Sequence, residues 1–264
     1  MDVTVIISYY KALENLKIIL LALNNQSSNN FDVIISEDDS NEETSNFIED
    51  NRKNYSFNIT HLYQENDDGF KKNVMLNKCI LQSRNDFLVF IDGDCVPHKH
   101  FIKEYSKNAE KGYFYSGRAV LLDDKITKYT KLNNTLKKLN FTSIILSNST
   151  KKKDGIYFPY FQLSVKTKGI VGRNWGVHKQ HLIDLNGFDA DYVFAGVGED
   201  VDIEWRLLAN DIIRKSIKNR AIVYHLFHKK VYSEVKVKEN YDIFYNKQKL
   251  NNIKCLNGIE NIKQ

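Results

Sequence analysis

Asp92-Gly93-Asp94 follows directly on the apolar run Phe87-Leu-Val-Phe-Ile91. Five apolar residues, β-branched and aromatic, read as a strand buried on both faces, as found inside α/β sheets. Ligands of open α/β sheets bind at the carboxyl ends of such strands. Two carboxylates one residue apart at that position suit a hard divalent cation, which takes oxygen ligands and shares them with substrate phosphates. The chemistry expected there is a metal ion holding a phosphorylated substrate. Asp-Gly is also a common turn signal, and taken alone the pair fits a surface turn as well.

Two further constellations carry reactive groups. Phe194-Ala-Gly-Val-Gly198-Glu199-Asp200 is a glycine-containing loop that delivers two carboxylates to a helix start. Asp200 fits an N-cap, and the helix amino terminus would hold it ionised, as a base accepting a hydroxyl proton requires. His225-Leu-Phe-His228 ends a strand. Imidazoles at that spacing are packing or surface groups as readily as metal ligands. A calcium EF-hand at Asp92 is excluded, because Lys103 stands where the bidentate Glu is needed and a strand precedes the loop. Cys95, His98 and His100 lack a fourth zinc ligand and read as loop and first-turn residues around Pro97.

These groups need a scaffold, and 264 residues suffice for one large α/β domain with a sizeable core. Hydrophobic residues make up 42% and charged residues 27%, as in ordinary globular proteins. A net charge of +5 suits an anionic ligand or membrane surface and is too mild to indicate nucleic acid. Three cysteines without a CxxC pair argue against a disulfide framework and point to a reducing, cytoplasmic setting. The chain opens into strand-like residues 3–7 without a signal core, and no apolar run approaches the roughly 20 residues of a membrane helix.

Strand and helix alternate through the first half. Residues 3–7, 31–35, 59–63 and 87–91 read as strands. Leu13, Leu16, Leu20 and Leu23 recur at helical spacing, Ser40-Asn-Glu-Glu43 has the spacing of a capping box, and residues 71–82 read as a helix. Such alternation predicts a mostly parallel sheet flanked by helices. Farther on, residues 113–122 read as one strand, and Leu132, Leu136, Leu139 and Ile144 suit one amphipathic helix in the Lys-rich segment 125–153. That segment is read as a solvated helical insertion, with an acceptor-side lid or membrane-facing patch as the alternative. Helices are expected near 178–185 and from Asp200, and a last strand at 221–224. The expected organisation is one catalytic domain over 1–236, with a nucleotide-binding half (1–122), a helical insertion (123–168) and an acceptor half (169–236). A Lys- and Asn-rich tail, 237–264, follows as a short peripheral helix or partly disordered chain.

Taken in order, these motifs resemble inverting glycosyltransferases of the GT-A fold, in glycosyltransferase family 2 with its chondroitin-polymerase-like and galactosyltransferase-like relatives. The resemblance covers residues 1 to about 230. Its pieces are Val5-Ile-Ile-Ser-Tyr-Tyr10, Glu37-Asp-Asp-Ser40, Asp68-Gly-Phe70, the DXD motif Asp92-Gly-Asp94, Asn186-Gly-Phe-Asp189, Gly196-Val-Gly-Glu-Asp200 and Tyr224-His225. It implies a GT-A (Rossmann-like) fold and a metal-dependent, inverting transfer of a hexose or N-acetylhexosamine from a UDP-sugar. The implied acceptor is a glycan or lipid-linked glycan of a bacterial surface polysaccharide, met at the cytoplasmic face of the inner membrane. Asp38 would bind uracil with Ser8 and Tyr10 lining the base pocket, and Asp92 would lie near ribose and metal. Asp94 would bind Mn²⁺ or Mg²⁺ with His225, or less favourably His228. Asp200 would be the base, with Glu199 and Trp175 at donor sugar or acceptor. Glu37 departs from the family's first turn Asp, Val197 from its usual aromatic residue, and a single module implies a single-linkage transferase. A sugar nucleotidyltransferase would need a Gly-rich loop where Ser8-Tyr-Tyr-Lys-Ala12 stands. A non-catalytic nucleotide- or carbohydrate-binding module is the remaining alternative.

Overall fold

The computed structural model describes residues 1–67, 69–161, 168–194, 198–229 and 234–262. Asp68, and Gly196 and Val197 of the glycine loop, lie outside the described residues. The strands are β1 (Val3–Tyr9), β2 (Phe31–Glu37), β3 (Ile59–Leu62), β4 (Phe87–Asp92), β5 (Cys95–Pro97), β6 (Tyr113–Ser116), β7 (Arg118–Leu121), β8 (Trp175–His178), β9 (Ile213–Ser216) and β10 (Ile222–His225). The helices are α1 (Leu13–Asn24), α2 (Glu42–Asn51), α3 (Lys72–Gln82), α4 (Phe101–Asn108), α5 (Asp124–Leu132), α6 (Phe141–Ile145), α7 (Lys179–Asp184), α8 (Glu199–Ala209) and α9 (Glu234–Lys249).

A seven-stranded sheet in the order β3-β2-β1-β4-β8-β6-β9 forms the centre, and a small sheet, β5-β10-β7, stands beside it. β1 pairs in parallel with both β2 and β4, so Ser8 lies level with Ser36 on one side and Asp92 on the other. The acidic ends of β2 and β4 therefore open on the same edge. β8 runs antiparallel between β4 and β6.

The apolar runs explain the layering. Alternate residues of β1 serve two cores, with Val5 and Ile7 facing one and Ile6 the other. α1 covers the first with Leu16, Ile19, Leu20 and Leu23. α3, α7 and α8 cover the second with Leu76, Ile80, Leu182, Ile203 and Leu207. Each fully buried aliphatic side chain contributes about 1.5–3 kcal/mol.

Four local expectations change. The single strand over 113–122 is two, because the chain leaves the large sheet at Gly117 and enters the small one. Gly117 has no room for a Cβ, which would fall 2.3 Å from Asn174. Asn41, not Ser40, caps α2, its side chain accepting from the Thr44 amide at 3.2 Å. The one amphipathic helix of the Lys-rich segment is broken into α5 and α6, leaving Leu132 84% exposed. The tail is docked: Lys247 of α9 pairs with Asp189 and, at 2.6 Å, with Asp191. Beyond α9, Cys255 is buried against Asn186.

Candidate active site

Asp92 and Asp94 face different neighbours because Gly93 presses onto β1. The Gly93 amide donates to the Ser8 carbonyl at 2.6 Å, and a Cβ at this residue would lie 2.8 Å from that oxygen. Only glycine permits so close an approach of the two backbones. The Asp94 carbonyl in turn accepts from the Leu226 amide at 2.8 Å, which pins the end of β10 beside it. In the small sheet, Cys95 and His225 are directly opposed across an antiparallel pair.

The first group gathers on Asp94. Its Oδ2 lies 3.0 Å from His228 Nε2 and 3.4 Å from His225 Nε2. Burial works to raise the Asp94 carboxyl, but the hydrogen bond from His228 and the charge of His225 outweigh it and hold the group below the usual range. The hydrogen bond to Asp94 lifts His228 to about 9, whereas burial holds His225 below its ordinary value despite Asp94. One ligand atom each from Asp94, Cys95 and His225 lie within 4.8 Å of one another. Carboxylate oxygen with imidazole nitrogen fits a divalent first-row cation. Burial and the Asp94 charge keep the Cys95 thiol well above its ordinary pKa, and hence protonated.

The second group is built on Lys72, the first residue of α3. Its Nζ lies 3.1 Å from Asp92 Oδ1 and 2.7 Å from Glu199 Oε1. Burial opposes its charge, yet Asp92 and Glu199 hold Lys72 above its ordinary value. Asp200, beside Glu199 at the start of α8, is pushed up to about 6 by burial and by repulsion from Glu199, with Lys72 opposing. Gly198 precedes it at φ +144°, with Tyr192 only 2.6 Å from where a Cβ would stand. Above this cluster runs the chain at 169–172, held to α8 by amide bonds from Ile170 to Glu204 at 2.9 Å and from Gly172 to Asp200 at 3.4 Å. A Cβ on Gly172 would occupy the space 3.5 Å from Glu199, 3.6 Å from Asp92 and 3.7 Å from Lys72.

A third group lies at the ends of β1 and β2. Asp38 is 8% exposed, accepts the Lys71 amide at 3.1 Å and Gln64 Nε2 at 2.8 Å, and is raised by burial to about 6. Its own amide donates to the Tyr9 carbonyl at 2.9 Å, placing it next to Ser8 and to Tyr10, which is 53% exposed.

Of the expected site residues, Asp92, Glu199 and Asp200 meet through Lys72 and Gly172, and Asp94 meets both histidines. Trp175 does not join them. It is 2% exposed and stacks on Phe90 at 4.5 Å between ring centres, so it supports β4 from the core. Alternation along β8 is the cause, since Trp175 and Val177 both face the second core. Motif and periodicity single out neither Lys72 nor Gly172. A cation opening the helix that follows an acidic loop was the available signal for Lys72; Gly172 had none. Asn73 and Asn77, also on α3, fix the Asn186–Asp189 block by donating to the Asp189 and Phe188 carbonyls, each at 2.7 Å.

No curated protein matches the sequence. Among solved structures, the fold is similar to the mannosyltransferase PcManGT of Pyrobaculum calidifontis, in complex with GDP-Man and Mn²⁺. The TM-score is 0.61 at 14% identity over 94% of this chain and 64% of that one. It is also similar to S. aureus TarS (TM-score 0.61, 15% identity, 94% of this chain and 39% of that one). A third is GalNAc-T7 with UDP, GalNAc and Mn²⁺ (TM-score 0.63, 10% identity, 92% and 50%). The chain spans between about two fifths and two thirds of the length of these proteins. The architecture is that of the GT-A glycosyltransferases. The family model described as glycosyl transferase family 2 matches residues 4–185, well over half of the sequence, and the chain belongs to that family.

Proposed function

We propose that this chain is a metal-dependent inverting glycosyltransferase that moves a hexose or N-acetylhexosamine from a UDP-sugar to a glycan or lipid-linked glycan during surface polysaccharide synthesis. The observation that carries the reading is the division of labour along one sheet edge. A carboxylate flanked by two imidazoles, Asp94 with His225 and His228, stands apart from a buried carboxylate poised near neutrality, Asp200.

Mn²⁺ or Mg²⁺ held by Asp94 with His225 or His228 would supply positive charge against the diphosphate of the leaving group. The chain's own residues do the rest. Asp38, fixed by Gln64 and the Lys71 amide, holds the base with Ser8 and Tyr10, and Asp92 lies beside the ribose. Glu199 contacts donor sugar or acceptor. Asp200 takes the proton of the acceptor hydroxyl as its oxygen bonds to the anomeric carbon, and the bond from that carbon to UDP breaks with its electron pair leaving on the diphosphate. A carboxyl raised to about 6 suits this role, being ionised at neutral pH yet basic enough to accept a proton. One displacement inverts the anomeric centre and needs no enzyme nucleophile. The test is a screen of UDP-sugars for Mn²⁺-dependent release of UDP, by transfer or slow hydrolysis. Turnover of at least one supports the reading, and binding without turnover across the set overturns it.

A further inference from the structure

Residues 125–153 contain eight lysines and no Asp or Glu. The whole chain carries +5, so without this segment the remainder would stand at −3. All of the positive excess is thus confined to one surface insertion.

Its fold exposes apolar groups among those lysines. α5 buries Ile126, Thr127 and Thr130, and helical spacing turns Lys125, Lys128, Tyr129 and Leu132 outward. Leu132 is 84% and Tyr129 38% exposed. The chain then folds back through α6, so that Lys138 and Leu146 join Lys125 and Tyr129 around one open cleft. Lys138 Nζ lies 5.6 Å from the Tyr129 ring centre, and Leu146 is 83% exposed. Lys125, Lys138, Tyr129 and Leu146 therefore share one outward cleft, with Leu132 three residues beyond Tyr129 on the same face of α5 and Lys128 paired to Asp124 at 2.7 Å.

We propose that this patch docks on an anionic lipid bilayer, with Leu132 and Leu146 entering the interface and the lysines facing acidic headgroups. Charge complementarity favours an anionic surface. The apolar side chains favour a bilayer over a nucleic acid or acidic glycan, because neither of those covers an exposed Leu as an acyl boundary does. Among the described residues no helix is long and apolar enough to cross a membrane. The patch is also coupled to the candidate metal centre. Thr127 Oγ1 on the inner face of α5 accepts from the Phe227 amide at 2.8 Å, between His225 and His228, and the His225 carbonyl accepts from the Leu122 amide at 2.9 Å. Resting on the transferase reading, the consequence is that the acceptor is membrane-borne.

The experiment is co-sedimentation of the full chain with phosphatidylcholine vesicles, with and without phosphatidylglycerol, and no donor present. Binding should require phosphatidylglycerol and weaken with salt. The double variant Lys125→Ala/Lys138→Ala should weaken it by at least about tenfold, as loss of two lysines near an anionic surface implies. Leu132→Ser/Leu146→Ser should weaken it comparably, and since both side chains lie in solvent the fold is not at risk. Absence of vesicle binding, or binding indifferent to both variants, overturns the proposal. Binding lost with the lysines but intact in the leucine variant overturns it too, in favour of a general polyanion surface. UDP titration by calorimetry is the separate control: failure there sinks the transferase reading and leaves the vesicle result standing.

Discussion

Lys72 and Glu199 meet at 2.7 Å, Nζ to Oε1, across 127 residues of chain. The same ammonium also reaches Asp92, so one cation on α3 joins the end of β4 to the start of α8. The two halves of the site are locked to each other by charge.

The lock also bears on the ionisation of Asp200. With its carboxyl at about 6, raised chiefly by burial, the base form is lost as pH falls through 6, and kcat/KM should drop tenfold per unit below it. Lys72 opposes the rise, so Lys72→Gln should move this acid limb to higher pH. A pH–rate profile of both proteins checks the sign; a limb that moves down, or not at all, contradicts the coupling.

On the proposed reading, Asp94 carries the metal-dependent part of nucleotide binding. In Asp94→Ala, calorimetric titration with UDP should show the same affinity with and without Mn²⁺, whereas the unaltered chain binds more tightly with the metal. A retained Mn²⁺ effect would move the cation elsewhere.

The block behind Asp200 rests on a buried ion pair. Arg206 Nε donates to Asp202 at 2.7 Å, its Nη1 donates to the Leu185 and Gly187 carbonyls, and both side chains are 1% exposed. Arg206→Leu leaves the buried Asp202 carboxylate with only the Tyr192 hydroxyl, at 3.1 Å, and should cost roughly 3–5 kcal/mol. For a domain of this size that lowers Tm by about 10 °C, measurable by calorimetry. A change within a degree would mean that Asp202 finds another partner.

The central sheet and its acidic edge were legible because β1, β2 and β4 are apolar on both faces and end abruptly in Ser8, Asp38 and Asp92. Periodicity identifies such strands without reference to the rest of the chain. It failed where tertiary contacts decide. Residues 113–122 carry apolar runs on both sides of Ser116-Gly-Arg118, and Asn174 packed over Gly117 divides them there between two sheets. The resemblance implies Trp175 at donor sugar or acceptor, and nothing in the sequence tells that its face of β8 is the one that meets Phe90. Lys72 does not stand out in the sequence, because a lysine opening a helix is ordinary and its two carboxylate partners lie 20 and 127 residues away. The tail showed no strong pattern, since a lysine that clamps Asp189 and Asp191 resembles any other lysine in sequence.

The most direct measurement is turnover of a UDP-sugar substrate by Asp200→Asn in the presence of Mn²⁺, with UDP affinity measured alongside. The account predicts a loss of roughly 10²–10⁴-fold in the rate while metal-dependent UDP binding is retained. Turnover equal to that of the unaltered chain would contradict Asp200 as the base.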